Sequence, residues 1–465
     1  MPECIVKPFV LFCLLGVVLT LGACGPGGNS GGYANRTWDY NRSVPHEPAQ
    51  QAPNPLSGIY EGTPSPASET STAEAPQWPV ESEYNQVLRN NDDNLPPVKV
   101  ALLLPLSGQH KALGEAMLQA AQIALFDAGY AGFELLPRDT RGTADGAREA
   151  AQSAIQDGAQ LVLGPVFAAS VQAARPVTQR ARVNMIAFST DWGLAGGGTY
   201  IMGFLPFDQI ERVLQYASDR KIKRIGVIAP QTEYGHAVIA AYNAMAPRYG
   251  IYTADTMTFS PQSNNLAPAL RQFTRYDQRT ATQQNSTTSG ASPLNTPLPF
   301  DAVLMPTGGE QASAIGNLLS HYDLPPNKVK RLGTGLFDDP GLAPESSLAG
   351  SWFAAPSPAL RESFERHFVA TYGYSAPRLA SLAYDATALS AVLARRGLRE
   401  TGRPAFDQAA ISNPNGFAGI DGIFRFRPDG TAERGLAVLE YRHGRIRMID
   451  DAPETFVKGS NRPIQ

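Results

Sequence analysis

With 465 residues, 43% of them hydrophobic and 17% charged, the chain is long enough for two or three domains with substantial cores. A formal net charge of only −3, with lysines and arginines scattered along the chain, excludes the basic stripe of a nucleic-acid binder. All three cysteines, Cys4, Cys13 and Cys24, precede residue 25, so the rest of the chain holds no disulfide.

The first 24 residues open with a weakly basic start containing Lys7, run through apolar Phe9 to Leu21, and end in Leu21–Gly22–Ala23–Cys24. The run is short for a membrane span. It resembles a bacterial lipoprotein signal, which implies cleavage before Cys24, acylation of that cysteine and anchorage to a membrane. An ordinary secretory signal that happens to hold a cysteine is the alternative. Gly25 follows where an aspartate would imply inner-membrane retention, so the resemblance implies the periplasmic face of the outer membrane; such signals are addresses read by receptors. From residue 25 to about 97 the composition is rich in Gly, Pro, Ser, Asn and Thr, too polar to bury a core, and reads as a disordered linker. About 70 residues at roughly 3 Å each would reach on the order of 200 Å. A short helix is expected at Val80 to Arg89.

Val98 to Leu104 is a short run of mostly apolar residues ended by Pro105 and predicts a buried strand. After Leu106–Ser107–Gly108, apolar Leu113, Met117, Ala120, Ala121, Ala124 and Leu125 recur at helical spacing up to Gly129. A second strand, Phe133 to Leu136, leads to Arg138–Asp139–Thr140, and the three elements form a right-handed βαβ unit. A helix over Thr143 to Gln156, a strand Leu161–Leu163 closed by Gly164–Pro165, a helix over Ala169 to Arg180 and a strand Val183 to Phe188 continue the pattern. Ligands of parallel sheets bind beyond the carboxyl ends of strands, so Ser107, Asp139, the loop after Gly164 with Ser170, and Ser189, Thr190 and Asp191 fall on one rim.

The turn Pro105–Leu106–Ser107–Gly108, Gly114 and the strand ending near Asp139 resemble the opening of type I periplasmic binding proteins of the branched-chain amino-acid class. Tyr234–Gly235 opening a helix and Ser381–Leu382–Ala383–Tyr384–Asp385–Ala386 resemble the same superfamily. The resemblance covers residues 98 to about 450 and rests on the order of elements. It implies a two-lobed α/β fold, each lobe a mostly parallel sheet flanked by helices, over residues 98–455. Lobe 1 is expected at about 98–206 and 350–425, and lobe 2 at about 207–349 and 426–455. Crossovers are expected near Leu205 to Asp208, near Trp352 as the strand returning to lobe 1, and close to a terminal hairpin turning at Pro428–Asp429–Gly430. Residues 277–300 read as a polar, disordered surface insertion.

No phosphate loop, zinc-protease helix, nucleophile elbow or metal-spaced cluster is present, so neither cofactor nor metal is expected. His46, His110, His236, His321, His367 and His443 lie far apart and read as solvated. Ser218–Asp219–Arg220–Lys221 matches the S-x-x-K of penicillin-binding enzymes but lacks its companion motifs and reads as a helix end. Ser107 has no local base, so an enzyme is not expected.

Amino-acid receptors of the superfamily seat a zwitterion between lobes, and both charges need partners once desolvated. On that pattern one expected hydroxyl falls on Ala168, near Ser170, and another on Asp191, whose charge would repel a carboxylate. The expected aromatic falls on Gly308 and the expected acid on Gly335. Ser107, Ser189, Thr190, Tyr234, Thr307 and Asp338 remain as cleft lining for a small polar ligand. Within the superfamily the chain is most similar to lipoprotein activators of penicillin-binding proteins, which implies a non-enzymatic role and a peptidoglycan synthase as partner. It lacks the helical-repeat domain of fuller members. The alternative is a solute-binding lipoprotein of an amino-acid transporter.

Overall fold

The computed structural model describes residues 95–263, 265–288 and 297–456. The signal with Cys24, the linker and the helix expected at Val80 to Arg89 lie outside the described residues. β1 (Val98–Leu104) is central to the first sheet. Its Val98, Val100, Leu102 and Leu104 enter one core and Ala101 and Leu103 another, so both faces are covered and the strand is apolar apart from Lys99. β2 (Phe133–Asp139), β3 (Leu161–Leu163), β4 (Met185–Ala187) and β5 (Thr199–Ile201) complete a parallel sheet in the order β2-β1-β3-β4-β5.

Helix α1 (Lys111–Ala128) covers one face, and α2 (Ala144–Gln156) and α3 (Ala168–Ala181) the other. At Gly114 a Cβ would lie 2.1 Å from the Pro105 carbonyl oxygen, so only glycine lets α1 start so close to β1. The helix stops at Gly129, which takes the left-handed conformation at φ 59°.

The chain then leaves lobe 1 through residues 202–205. Lobe 2 begins with α4 (Pro206–Asp219), β6 (Arg224–Pro230), α5 (Glu233–Met245) and β7 (Tyr252–Phe259). It continues with α6 (Ala267–Phe273), α7 (Tyr276–Thr288), β8 (Ala302–Met305), α8 (Gly309–His321), β9 (Lys330–Gly333) and β10 (Trp352–Ala355). The chain re-enters lobe 1 with α9 (Pro358–Tyr372), α10 (Ala380–Thr401) and the short α11 (Gln408–Ile411). β11 (Phe417–Gly419), β12 (Gly422–Phe426) and β13 (Ala432–Arg434) form a small antiparallel sheet. β14 (Ala437–Arg442) and β15 (Arg445–Asp450) end the second sheet, in the order β15-β14-β10-β9-β8-β6-β7. The result is the two-lobed fold, each lobe a mostly parallel sheet flanked by helices.

Three expectations need correction. The strand at Trp352 stays in lobe 2: β10 pairs parallel with β9, Trp352 opposite Leu332, and antiparallel with β14, Trp352 opposite Glu440. Four residues, WFAA, carry no sign of which sheet they join, and the return to lobe 1 comes only at Pro356–Ser357. The single terminal hairpin is two. Arg427 to Thr431 turn between β12 and β13, where Phe424 and Phe426 belong to the lobe 1 core, and the third crossover is Gly435–Leu436. His443 and Gly444, at φ 52° and 71°, make the second turn between β14 and β15; positive φ at both central positions suits a tight hairpin. Finally, the first half of the polar insertion is helix α7. Buried Arg279 anchors it by donating to the Thr274 and Tyr322 carbonyls, and Tyr276 packs on Tyr322 with centroids 5.3 Å apart.

Candidate functional site

The carboxyl ends of β1 to β4 carry the lobe 1 candidates, and Ser107, Asp139, Ser170, Ser189 and Asp191 all bond within their own lobe. Asp139 Oδ1 accepts from the backbone N–H of Leu106, Ser107 and Arg141 at 2.9, 3.2 and 2.7 Å, and Oδ2 accepts from the Ser107 hydroxyl. Burial works to raise the Asp139 pKa, but the Ser107 hydroxyl and the three N–H groups outweigh it and hold the carboxyl below its usual range. The structure therefore brings Ser107 and Asp139 together as one closed unit. Ser170 is buried and donates to the Thr143 carbonyl at 3.2 Å. The Ser189 hydroxyl accepts from the Asp191 N–H, and Asp191 Oδ1 accepts from the Gly193 N–H at 3.0 Å, capping a short 3-10 turn. Thr190 is exposed.

The lobe 2 rim is closed in the same manner. The Tyr234 hydroxyl donates to Thr334 Oγ1 at 2.8 Å, and buried Thr307 bonds Gln311 Oε1 at 3.0 Å. At Gly308 a Cβ would lie 2.8 Å from the Leu336 carbonyl oxygen, so no aromatic fits the place where the superfamily pattern expects one. Gly335 donates its N–H to Gln209 Oε1 at 2.7 Å, and the Gln209 amide stands where the expected acid would project. Sequence reasoning missed Gln209, set beside the rim by tertiary packing, and Thr334, which directly follows β9 and could have been found by its place at the strand end.

Asp338 behaves differently. It follows β9 in lobe 2 and meets Arg361 of α9, in lobe 1, at 3.0 Å, with Arg378 at 3.9 Å. Burial pushes its carboxyl up, and the two guanidiniums offset this only in part. Its neighbour Asp339 caps a separate turn through the Gly341 N–H, so the two adjacent acids have separate duties.

Behind Asp338 lies a buried charged network. Arg378 Nη1 donates to Asp421 Oδ1 at 2.7 Å, the Ser381 hydroxyl donates to Asp421 Oδ2 at 2.6 Å, and Asp385 Oδ1 accepts from the Ile420 N–H at 2.7 Å. Burial disfavours charge on both acids. Arg378, Arg434 and Ser381 nevertheless hold Asp421 ionised and low, while Asp385, facing that charge, is pushed up to about 7. One sequence signal could have found the network: Asp385 sits in an Ala- and Leu-rich helix, and a charge buried there needs partners.

Among the described residues no group of His, Cys, Asp and Glu has the arrangement of a metal site. Ser218 of the S-x-x-K match donates to the Tyr249 carbonyl at 2.7 Å and ends α4. An open depression of about 630 Å³, lined by Gln160, Arg182, Asn184, Arg403, Phe406 and Gln408, lies at the amino ends of β3 and β4. That is the side of the sheet away from the rim, where open α/β sheets do not place ligands.

Two α/β lobes joined by three crossovers, with the carboxyl ends of strands forming the rim, define a cleft-type binding protein. The chain belongs to the periplasmic binding protein family, whose model matches residues 97–445. No curated protein matches the sequence. Among solved structures the chain is similar to an ABC transporter substrate-binding protein from Sphaerobacter thermophilus, at 19% identity over 77% of this chain and 98% of that one, TM-score 0.59. It is also similar to a solute-binding protein from Rhodopseudomonas palustris in complex with 3,4-dihydroxybenzoic acid, at 17% identity over 78% and 98%, TM-score 0.53. A third is the branched-chain amino acid transporter substrate-binding protein from Streptococcus pneumoniae in complex with isoleucine, at 18% identity over 77% and 100%, TM-score 0.52. At these identities the likeness is one of fold.

Proposed function

We propose that the protein is a non-enzymatic lipoprotein, anchored through Cys24 to the periplasmic face of the outer membrane, whose binding-protein domain acts by contact on a peptidoglycan synthase of the penicillin-binding class. The observation that carries this reading is the closed rim. Ser107, Ser170, Ser189, Thr307 and Tyr234 each bond within their own lobe, and glycines stand where the aromatic and the acid of an amino-acid receptor belong. A ligand carboxylate or ammonium entering this cleft would find most of these groups already engaged and would recover little of its lost hydration. An activator of this kind works by binding one conformation of the synthase more tightly than another.

The test is reconstitution: the soluble chain from residue 25 onward should bind a bifunctional penicillin-binding protein and raise its glycan polymerisation or crosslinking rate. Absence of both binding and stimulation with every synthase of the source cell would remove the reading. Halving the linker should abolish function in cells and leave stimulation in vitro intact.

A second reading, delivery of a small solute to a transporter, is favoured by the fold relatives bound to isoleucine and to 3,4-dihydroxybenzoic acid. A solute present at 100 times its dissociation constant stabilises the native state by about 2.7 kcal/mol. A clear rise in Tm with leucine, isoleucine or an aromatic acid would favour the receptor.

A further inference from the structure

Two carboxylates of lobe 2 carry charge across to lobe 1, and their pairs flank all three crossovers. Asp338 reaches Arg361, in the first turn of α9 directly after the second crossover, at 3.0 Å. Asp208, in the first turn of α4 directly after the first crossover, accepts from Arg427 Nη2 at 2.7 Å and from the Arg434 N–H at 2.9 Å. Arg434 is the last residue before the third crossover.

The arginines are held from behind. Arg361 is fixed by Glu365 at 2.8 Å, Arg378 by Asp421 at 2.7 Å, and Arg427 has Glu433 at 3.5 Å. The guanidiniums of Arg378 and Arg434 lie 4.1 and 4.9 Å from the ring centroid of Phe204, which is itself part of the first crossover. Both lobe 2 carboxylates are largely desolvated, with side chains only 15% and 10% exposed, so swinging the lobes apart would break short, water-shielded ion pairs and leave only hydration in their place.

We infer that Asp208 and Asp338 with their lobe 1 arginines form a clasp that holds the two lobes in one fixed relation without any ligand. In a cleft receptor a bound solute supplies contacts between lobes. Here the chain supplies them itself, while the rim of each lobe is turned inward. The inference does not depend on which partner the domain serves.

Interlobe distance measurement tests it. Phe126 on α1, 84% exposed, and Tyr252 on β7, 70% exposed, offer label sites on opposite lobes. With the three native cysteines replaced by serine, spin labels at Phe126→Cys and Tyr252→Cys should give one narrow distance distribution in the otherwise unaltered chain. Asp208→Asn with Asp338→Asn should broaden it and move it to a different mean. Arg361→Gln with Arg427→Gln, at positions 24% and 30% exposed, should do the same from the lobe 1 side, and these less buried sites decide the matter if the aspartate variant fails to fold by circular dichroism. Arg141→Gln with Arg148→Gln, exposed pairs inside lobe 1, should leave the distribution unchanged. A broad distribution before any clasp substitution, or an unchanged narrow one in the folded arginine variant, overturns the clasp.

Discussion

The rim and the junction of this protein treat polar groups in opposite ways. At the rim, Ser107 with Asp139 and Tyr234 with Thr334 each close a bond inside one lobe. At the junction, Asp338 with Arg361 and Asp208 with Arg427 bridge the lobes, backed by Arg378 and Asp421. A small-ligand site would instead need polar groups left open at the rim to fix the ligand. The same two-lobed scaffold thus supports different work according to where its charges are paired.

The sharpest way to break the junction is Asp421→Ala, which leaves buried Arg378 without its nearest carboxylate. Removing one partner of a buried pair costs about 3–5 kcal/mol, and urea denaturation should show a loss of that order. A loss under about 1 kcal/mol would mean that water reaches the network.

Next in size is a pH effect at Asp385. Its carboxyl is pushed up to about 7 in the native state, above an unfolded value near 4. Between those values the native state keeps a proton that the unfolded chain has released, so stability is greatest below the unfolded value and falls as pH rises through about 7. Compared with Asp385→Asn, the unaltered protein should lose on the order of a few kcal/mol between about pH 4 and pH 8. Parallel stability curves for the two proteins would contradict this.

At the rim the expected effects are smaller. Gly308→Ala places a Cβ 2.8 Å from the Leu336 carbonyl oxygen, and the backbone must shift. A cost of about 1–3 kcal/mol follows for such overpacking, readable as a lowered Tm. Ser107→Ala removes one hydrogen bond to Asp139 and should cost about 1 kcal/mol. Carbon-13 NMR should also show the Asp139 carboxyl titrating at higher pH than before, since one of the groups holding it down has gone. An unchanged titration would mean that the three backbone N–H groups suffice.

Much of the scaffold was legible because local signals and burial agree. Val98 to Leu104 is apolar apart from Lys99 because both of its faces are covered, and the helix after it stops at a glycine that takes the left-handed conformation. The sheet joined by Trp352 to Ala355 was not legible, since four residues without a turn signal fit either lobe. The helix from Tyr276 was hidden by a polar composition, because what holds it is Arg279 donating to carbonyls, one of them 43 residues away. Of the candidate site, the residues at strand ends were found by position. Their partners were not: Gln209 is 126 residues from Gly335, and Arg361 is 23 from Asp338. Adjacency at that separation is decided by the order of strands, which periodicity does not encode.

The path of the chain also bears on how the protein is made. Helix α1 is covered by α9 and α10, with Tyr384 of α10 donating to Asp127 across 257 residues and Tyr372 of α9 to the Gln119 carbonyl across 253. Lobe 2 is inserted between these two halves of lobe 1. A chain emerging from its amino end can assemble the first parallel sheet early, yet the apolar face of α1 stays bare until the whole of lobe 2 has passed. A chain that stopped after Ala355 would therefore carry a nearly complete second sheet beside an unfinished first lobe, and such a fragment should depend on chaperones and be degraded quickly. Lobe 1 is first to be started and among the last to be finished.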